Sequence, residues 1–202
     1  MLSYRRKLLA ETTQLELHII YSGTITCFDG SAFSVKKTAH IVVMNRVEAY
    51  DKRMLQQIFY MLKQVRTDYP NFSQWYNITV RNGLMDGTRQ IWLAVSISGE
   101  IAGVLILKKN TEERKICTLY VQDCFRGQGI GTQMMKTAIQ YLGTDTPLAT
   151  VSSQHLHEYW ALLEHFNFCL CRVYPDYYRS GVDEYAFNGE LSFPRLMQIC
   201  NE

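Results

Sequence analysis

The sequence lacks any long apolar segment, and this absence excludes a membrane-spanning helix. The longest aliphatic run is Ile101–Leu107, far shorter than the ~20 residues that such a helix needs. No apolar stretch of signal-peptide type follows the basic start Met1–Lys7, so we expect neither secretion nor a membrane partner. Repeats and low-complexity tracts are also missing. With 47% hydrophobic and 20% charged residues, the composition is that of an ordinary globular protein.

The sequence also lacks the cysteine spacing of a metal or redox site. Six cysteines are present without a CxxC pair, at Cys27, Cys117, Cys124, Cys169, Cys171 and Cys200. A structural zinc site would need a tighter cluster of ligands, so no metal is predicted. We expect reduced thiols in a cytoplasmic protein.

Charge of one sign is not in clear excess. The 21 Lys and Arg residues nearly balance the 19 Asp and Glu residues, which gives no support to a nucleic-acid footprint. Residues 1–37 hold five basic and three acidic side chains, whereas the remaining 165 residues hold 16 of each. We interpret residues 1–37 as an N-terminal extension, residues 38–190 as the main domain and residues 191–202 as a C-terminal tail.

From Thr38 onward, strand-like and helix-like patterns alternate regularly. The first half predicts a strand, two helices and a hairpin: Ala39–Val47, Tyr50–Arg66, Phe72–Val80, then Gln90–Ile97 and Glu100–Lys108 joined by a two-residue Ser98-Gly99 turn. The next part of the sequence predicts a strand over Arg114–Gln122 and a helix that begins after Gly131 and ends at Gly143. A further strand is predicted over Pro147–Ser152. The last part of the sequence predicts a helix capped by Ser153, followed by two strands. The buried stripe of this helix consists of Leu156, Tyr159, Trp160 and Leu163. The two strands are Cys169–Val173 and Glu184–Phe187.

One segment joins a strand, a glycine-rich turn and a helix. In Arg126-Gly127-Gln128-Gly129-Ile130-Gly131-Thr132, alternate glycines let the backbone turn sharply and present successive N–H groups to an anion. The N-terminus of the following helix favours the same ligand, so the segment predicts a phosphate or pyrophosphate site. It is not a P-loop, because Thr132-Gln133 follows Gly131. It is not a dinucleotide fingerprint, because Met134 stands at the third glycine position.

This segment resembles the central motif of the GNAT N-acetyltransferase superfamily. The resemblance rests on the strand Leu119-Tyr120-Val121, on the Arg126–Gly131 turn, and on the element order from about Thr38 to Asn188. It implies an α/β fold with a mixed, mostly antiparallel central sheet flanked by helices. Residues 38–190 would then be the acetyltransferase domain, and residues 1–37 lie outside the resemblance.

The resemblance further implies acetyl-CoA as co-substrate and direct attack of an amine on its thioester. The amides of Gln128 through Thr132 would hold the pyrophosphate. The strand Leu119–Val121 would splay from its neighbour and pair with the pantetheine arm, and one of its N–H groups would polarise the carbonyl. The implied cofactor-binding residues are Leu119, Tyr120, Val121, Arg126, Gly127, Gln128, Gly129, Ile130, Gly131 and Thr132.

The sequence departs from the family at both proton-transfer positions. The base usually found on the central strand is matched by Lys115 and Cys117, neither a good base at neutral pH, and the upstream Glu112 and Glu113 are interpreted as a solvated turn. The tyrosine that usually protonates the leaving thiolate is matched by Leu163.

Tyr159 lies one helical turn before Leu163 on the same face, so it is our candidate general acid; the alternative is a core aromatic. Asn167 replaces the family's glycine, which asparagine permits because it tolerates the left-handed conformation.

Two further groups of polar residues stay open to more than one interpretation. His155 and His157 favour surface or capping roles over catalysis. A loop holding Tyr174, Tyr177, Tyr178 and Arg179 before the last strand either contacts the substrate or is an exposed turn.

The sequence therefore predicts an acetyl-CoA-dependent N-acetyltransferase acting on a small-molecule or peptide amine. One alternative is a degenerate acyl-CoA-binding module without catalysis, which the missing acid and base favour. Another is a toxin-like acetyltransferase acting on aminoacyl-tRNA, which the even charge balance disfavours. The acceptor and the oligomeric state, a homodimer included, are left open.

Overall fold

A mixed sheet of seven strands forms the centre of the computed structural model, which describes residues 42–191. In chain order the strands are β1 (Val42–Arg46), β2 (Arg89–Ser96), β3 (Ile101–Lys109), β4 (Arg114–Val121), β5 (Leu148–Ser152), β6 (Leu170–Arg179) and β7 (Val182–Phe187). They lie side by side in the order β1-β2-β3-β4-β5-β7-β6, and only the β4–β5 pair is parallel. The predicted fold class is confirmed. The predicted extension (1–37) and nearly all of the predicted tail (191–202) lie outside the described residues.

Helices cover both faces of this sheet. One face carries α1 (Lys52–Met61), α2 (Lys63–Asp68), α3 (Phe72–Gln74), a π-helical stretch (Trp75–Val80) and α4 (Arg81–Met85). The opposite face carries α5 (Ile130–Leu142) and α6 (Leu156–His165). We call these the α1–α4 face and the α5–α6 face. Within residues 42–191, no helix is both long and apolar enough to cross a bilayer.

Each face has its own apolar core. On the α1–α4 face, Leu55, Ile58 and Tyr76 pack against the sheet, where they meet side chains such as Ile106. On the α5–α6 face the core includes Met134, Ala138, Leu142, Leu163, Leu105, Leu107 and Ile116. The seven residues Ile101–Leu107 are all buried, because β3 lies between the two helical layers. The uninterrupted aliphatic run noted in the sequence is therefore a central strand.

Several local predictions hold. Gly143 ends α5 in the left-handed region at φ +68°, and its N–H donates to Ile139 O at 2.9 Å. Asn167 takes the left-handed conformation predicted for it, at φ +54°. The helix predicted after the glycine turn begins at Ile130, with Gly129 at its N-cap.

The first helix and the hairpin differ in detail from the prediction. The predicted helix Tyr50–Arg66 begins at Lys52, because the Asp51 side chain accepts the Met54 N–H at 2.9 Å, and it is interrupted at Leu62. The turn between β2 and β3 has three residues rather than two. Ser96 N–H donates to Glu100 O, and Gly99 supplies the third, left-handed position at φ +87°.

The helix predicted over Phe72–Val80 extends through α4 to Met85. It continues past Gly83, where an added Cβ would lie only 2.6 Å from Arg89 Cγ. Glycine at this point therefore serves close packing against β2 and does not end the helix.

Three predictions near the end of the chain differ from the structure. Ser153 does not cap α6: the N-cap is His155, and Ser153 N–H donates instead to Asp183 O. Trp160, placed in the buried stripe by its spacing, is 49% exposed. The loop predicted at 174–179 is wrong in part: these residues continue β6, but its pairing with β7 is interrupted between Tyr174 and Arg179, where Asp176 has a left-handed φ of +54°. Pro175 is tolerated there since β6 is an edge strand of the sheet.

Gly103 on β3 fixes how closely α5 approaches the sheet. An added Cβ at this position would lie 2.8 Å from Met134 Sδ and 2.8 Å from Tyr120 O. The latter atom is backbone on the neighbouring strand and cannot move away without disturbing the sheet. The helix that follows the glycine turn thus depends on the absence of a side chain at Gly103.

We expect Gly103→Ala to destabilise the protein by about 1–3 kcal/mol, because the methyl group overpacks the contact with α5. Gly189→Ala is the matched control, since its added Cβ would meet only Leu148 Cδ1 at an ordinary 3.5 Å. Urea unfolding of both variants checks the difference. Equal stability of the two variants would contradict this account of Gly103.

Candidate active site

The parallel strands β4 and β5 separate soon after they meet. Their ladder contains only two residue pairs, Lys115 with Leu148 and Ile116 with Ala149. On its other side β4 stays paired to β3 as far as Val121. The splay that the family resemblance implied for Leu119–Val121 is therefore present, and it opens a gap inside the sheet.

A cleft of about 840 Å³, its open mouth included, occupies this gap. Residues from both faces line it: Val65, Asp68 and Tyr69 on the α1–α4 face, and Met135, Tyr159 and Leu163 on the α5–α6 face. The divergence of two strands has thus opened the sheet from one helical layer to the other. Two ligands could approach each other there from opposite faces.

A β-bulge lies at the start of the gap. On β3, Leu107 pairs with Ile116 and Ile106 pairs with Thr118, so Cys117 is the extra residue on β4. Bulges bend a strand and re-aim its side chains, which accounts for the divergence beginning here. Cys117 lines the cleft, and the Arg89 guanidinium donates to its Sγ at 3.1 Å.

The free edge of β4 presents backbone groups to the cleft. Tyr159 Oη donates to Leu119 O at 2.7 Å, and Arg126 Nε donates to Val121 O at 3.2 Å. Because the N–H and C=O of one strand residue point to the same side, the N–H groups of Leu119 and Val121 face the cleft as well. Tyr120, between them, packs toward the α1–α4 core. The edge can therefore pair with the amide groups of an extended ligand.

The glycine turn brings the start of α5 to this edge. Gly127 and Gly129 have φ of +72° and +79°, in the region that favours glycine. Ile130 is buried in the core, so it offers a ligand only its backbone. The first turn of a helix leaves N–H groups without intrahelical acceptors, and here these belong to Ile130, Gly131 and Thr132. Gln128 Nε2 donates to Cys124 O at 3.0 Å, which braces the turn.

Tyr159 crosses the gap from α6 to β4. Burial raises the pKa of its hydroxyl to about 12, so the group stays protonated at neutral pH and can donate. Leu163, one turn later, is buried in the α5–α6 core. Tyr159 is therefore a packed aromatic residue whose hydroxyl nevertheless reaches the backbone of the splayed strand.

A chain of charges links α2 to α6 beside the cleft. His155 Nε2 lies 2.9 Å from Asp68 Oδ2, and its Nδ1 lies 3.0 Å from Glu158 Oε1. Arg126 joins the same Glu158 at 2.9 Å. Burial by itself would lower the pKa of His155, but its hydrogen bonds to Glu158 and Asp68 and their charges raise it overall. His155 thus connects the two helices, a role the sequence interpretation did not foresee.

Sequence reasoning missed three polar residues on the α1–α4 side of the gap: Tyr69, Ser152 and Glu184. Tyr69 Oη donates to Glu184 Oε1 at 3.4 Å, and Ser152 is the cross-strand partner of Glu184. Glu184 is only 1% exposed. A signal was available in β7, where Val182, Glu184 and Ala186 alternate as buried residues and the carboxylate stands at an inward position.

Burial raises the pKa of Glu184 to about 7, against the opposing effects of a hydrogen bond from Thr150, the charge of Lys115 and the hydrogen bond from Tyr69. The pKa of Tyr69 is also raised, by burial first and then by the charge of Glu184. The two groups therefore share a poorly solvated environment. Near neutral pH, Glu184 is poised between its protonated and ionised forms.

The other sequence candidates have different surroundings. Glu113 is paired with Lys108 at 2.6 Å, and His157 is exposed. Tyr178 packs edge-on against Tyr69 with ring centroids 5.1 Å apart, and Tyr177 and Tyr174 continue the row along β6. Arg179 lies 3.6 Å from Asp68. The cysteines of residues 42–191 are free, and that part of the chain holds no group of three metal-ligating side chains.

Comparison with known families agrees with this geometry. The family model described as the acetyltransferase (GNAT) family matches residues 53–168, from α1 to the end of α6. This match includes β4, the glycine turn and Tyr159. A search of curated proteins finds no significant match.

Solved structures share the fold at low sequence identity. One is assigned to the GNAT family of acetyltransferases and comes from Desulfovibrio desulfuricans; it is 14% identical with a TM-score of 0.59, over 72% of this chain and 96% of the other. A spermidine N-acetyltransferase from Vibrio cholerae, in complex with CoA and spermine, is 10% identical with a TM-score of 0.55, over 72% and 93% of the two chains.

The raised pKa of Glu184 predicts how the folding stability depends on pH. Between its unfolded pKa of 4.5 and its folded pKa of about 7, the folded state binds the proton more tightly. Stability must therefore fall as pH rises through this window, by about 3 kcal/mol in total. Glu184→Gln removes this loss, so we expect the variant to gain stability relative to wild type as pH rises.

Urea unfolding of both proteins at pH 5 and pH 8 measures this effect. Glu164→Gln, on the exposed side of α6, is the matched control and should keep the wild-type pH dependence. A constant difference between Glu184→Gln and wild type at the two pH values would show that Glu184 does not titrate in this range.

Proposed function

The chain belongs to the GNAT acetyltransferase family, and from this premise we propose that it transfers the acetyl group of acetyl-CoA directly to the nitrogen of an acceptor amine. The observation that carries the proposal is the separation of β4 from β5 next to the glycine turn. This arrangement offers a strand edge for an amide-containing arm and a helix N-terminus for a pyrophosphate. Acetyl-CoA would supply the acetyl group as a thioester, activated for attack by an amine.

The residues around the gap fit such a ligand. The cleft-facing N–H groups of Leu119 and Val121 would pair with the pantetheine amides, beside Tyr120. The turn from Arg126 to Thr132 would hold the pyrophosphate through backbone N–H groups, helped by the partial positive charge at the start of α5. Arg126 joins β4 to α6 through Val121 and Glu158, so it would brace the turn.

Gly131 gives the sharpest test of this cofactor site. Its φ lies outside the left-handed region, and an added Cβ would meet only Leu162 Cδ2, at 3.6 Å. Neither backbone conformation nor internal packing therefore requires glycine here. A Cβ on a helix tilts toward the N-terminus, so a side chain at this position would point toward the proposed phosphate position.

We expect Gly131→Asp to weaken acetyl-CoA binding by roughly tenfold or more, because its carboxylate would repel the phosphate and compete for the same N–H groups. Its folding stability should stay within about 1 kcal/mol of wild type, since an acidic side chain is favourable in the first turn of a helix. Calorimetric titration with acetyl-CoA and thermal unfolding measure the two effects.

Gly99→Asp, which carries the same added side chain at a left-handed turn far from the site, is the opposite control. It should lose about 1 kcal/mol of stability and bind acetyl-CoA normally. Wild-type affinity in Gly131→Asp would remove the turn from the cofactor site.

For the acceptor we propose a primary amine that enters from the α1–α4 side. The fold shared with a spermidine N-acetyltransferase supports an amine in general terms. Acetyl-CoA should be consumed with at least one member of a panel of polyamines, alkylamines and lysine peptides, with thiol release and product mass as readouts. Binding of acetyl-CoA without turnover of any amine would favour a binding module over an enzyme.

Tyr159 is our candidate for the group that protonates the departing thiolate. Its hydroxyl already lies at the splayed edge and stays protonated near neutral pH. A pKa of about 12 makes it a weak acid, and a thiol of pKa near ~8.5 is only weakly basic, so solvent competes for the role. Its contribution should therefore lie at the low end of the range for general acid catalysis.

We expect Tyr159→Phe to lower kcat by roughly tenfold or more while acetyl-CoA affinity stays nearly unchanged. Tyr141→Phe is the matched control, because its ring packs against Trp92 on the other side of α5. Normal kcat with a lowered melting temperature in Tyr159→Phe would make this tyrosine a packing residue only.

A further inference from the structure

We propose that Tyr69, Ser152 and Glu184 form the subsite for the reacting amine of the acceptor, and that Glu184 takes up the proton which this amine must lose. The proposal rests on the proposed function, since it names the base for that same reaction. It places the base on β7. The family resemblance points instead to the central strand, where this chain has Lys115 and Cys117.

The three side chains come together on the α1–α4 side of the gap. Ser152 and Glu184 are direct partners in the antiparallel β5–β7 ladder, so their side chains project from the same face. Tyr69 follows α2 and reaches Glu184 Oε1 with its hydroxyl at 3.4 Å. Tyr69 and Ser152 line the cleft itself, and Glu184 does not line it but is joined to both, by the hydrogen bond from Tyr69 and by its pairing with Ser152.

Ser152 provides an independent sign that a ligand belongs here. The residue is 3% exposed, and its Oγ has no hydrogen-bond partner among the residues that the structure describes. Burying a hydroxyl without a partner costs free energy. An amine in the cleft would satisfy this oxygen by donating to it, and would lie beside Glu184.

Among the residues that the structure describes, Glu184 differs from three other carboxylates near the cleft in having no cation close to it. Asp68, Glu113 and Glu158 each have a basic group within 4 Å, whereas residues 42–191 give Glu184 no ion pair of that length. A carboxylate committed to a salt bridge is a weaker base, because the ion pair lowers its proton affinity. Glu184 has no such ion pair in the described part of the chain, so its affinity for a proton is not lowered in this way.

The charges and hydroxyls around Glu184 set its titration. Lys115 on β4 favours the ionised form, Tyr69 donates to it, and Tyr177 and Tyr178 on β6 are close enough for their own pKa values to be raised by its charge. Burial is the largest influence and raises the pKa of Glu184 to about 7. A general base is most effective when its pKa lies near the working pH, and this value meets that condition.

The proposed step balances as follows. The acceptor enters as an ammonium ion, and one of its protons passes to the Glu184 carboxylate through the Tyr69 hydroxyl, which lines the cleft and donates to that carboxylate. The neutral nitrogen attacks the thioester carbonyl carbon, so that a C–N bond forms, the C–S bond breaks and the electron pair leaves on sulfur. The nitrogen loses its second proton to solvent, and the sulfur gains a proton either from Tyr159, which solvent then reprotonates, or from solvent directly. Glu184 then returns its proton to solvent, leaving an amide, a thiol and one released proton.

Glu184→Gln is the primary test, with acetyl-CoA and the best amine of the panel as substrates. The amide keeps the shape of the side chain but cannot accept the proton, so we expect kcat to fall by roughly 100-fold or more. Acetyl-CoA affinity should stay within about threefold, since Glu184 lies on the opposite side of the gap from the proposed phosphate site. Glu113→Gln, whose carboxylate is paired with Lys108, is the matched control and should keep wild-type kcat.

The pH profile separates a proton acceptor from a structural residue. Wild-type kcat should rise with pH through a midpoint near 7, and Glu184→Gln should lack this rise. Glu184→Asp, which restores a carboxylate, should recover part of the lost rate. In ¹³C-glutamate NMR, the carboxyl signal that titrates near pH 7 should disappear in Glu184→Gln.

Ser152→Ala tests the amine-binding part of the subsite. It should raise KM for the amine more than it lowers kcat.

The outcomes distinguish this proposal from the one on which it rests. A folded Glu184→Gln with near-wild-type kcat, or with an unchanged pH profile, overturns the assignment and leaves the acetyltransferase proposal standing. Parallel loss of kcat and acetyl-CoA affinity makes Glu184 a structural residue and also overturns it. Absence of turnover in wild type with every amine overturns the proposed function and this subsite with it.

Discussion

Two residue pairs hold β4 to β5, and the rest of the site depends on where that ladder stops. A sheet that opens in its interior exposes backbone N–H and C=O groups which must find other partners. Here Tyr159 and Arg126 occupy two carbonyl groups of the exposed edge. The bulge at Cys117 supplies the bend, and β3 keeps β4 in place by pairing with its other side.

The same opening explains why polar groups are buried where they are. Glu184, Tyr69 and Ser152 lie beside a gap in the sheet, so they are shielded from bulk water while close to a cleft that a ligand can enter. A carboxylate in this position costs stability at neutral pH, because burial disfavours its charge. Such a cost is common at functional sites, where reactivity is favoured over stability.

The structure suggests how this chain compensates for the two positions at which it departs from the family, Leu163 and Cys117. Leu163 fills the apolar core, and Tyr159, one turn earlier, places its hydroxyl at the splayed strand, where we propose that it acts in place of the family's usual tyrosine. Cys117, at a position where the family often carries a base, is the bulge residue and contacts Arg89. The carboxylate that we propose for that role, Glu184, lies two strands away on β7.

The sequence by itself determined the features that depend on neighbouring residues. Alternating patterns predicted the strands, Gly143 and Asn167 predicted helix ends, and the glycines of Arg126–Thr132 predicted a sharp turn before a helix, because φ preferences and capping act over a few residues. Only the tertiary structure decided that β6 continues through Pro175, since edge position is a property of the whole sheet. It alone also brought Tyr69 to Glu184, 115 residues away, because burial and desolvation arise only when distant segments pack together.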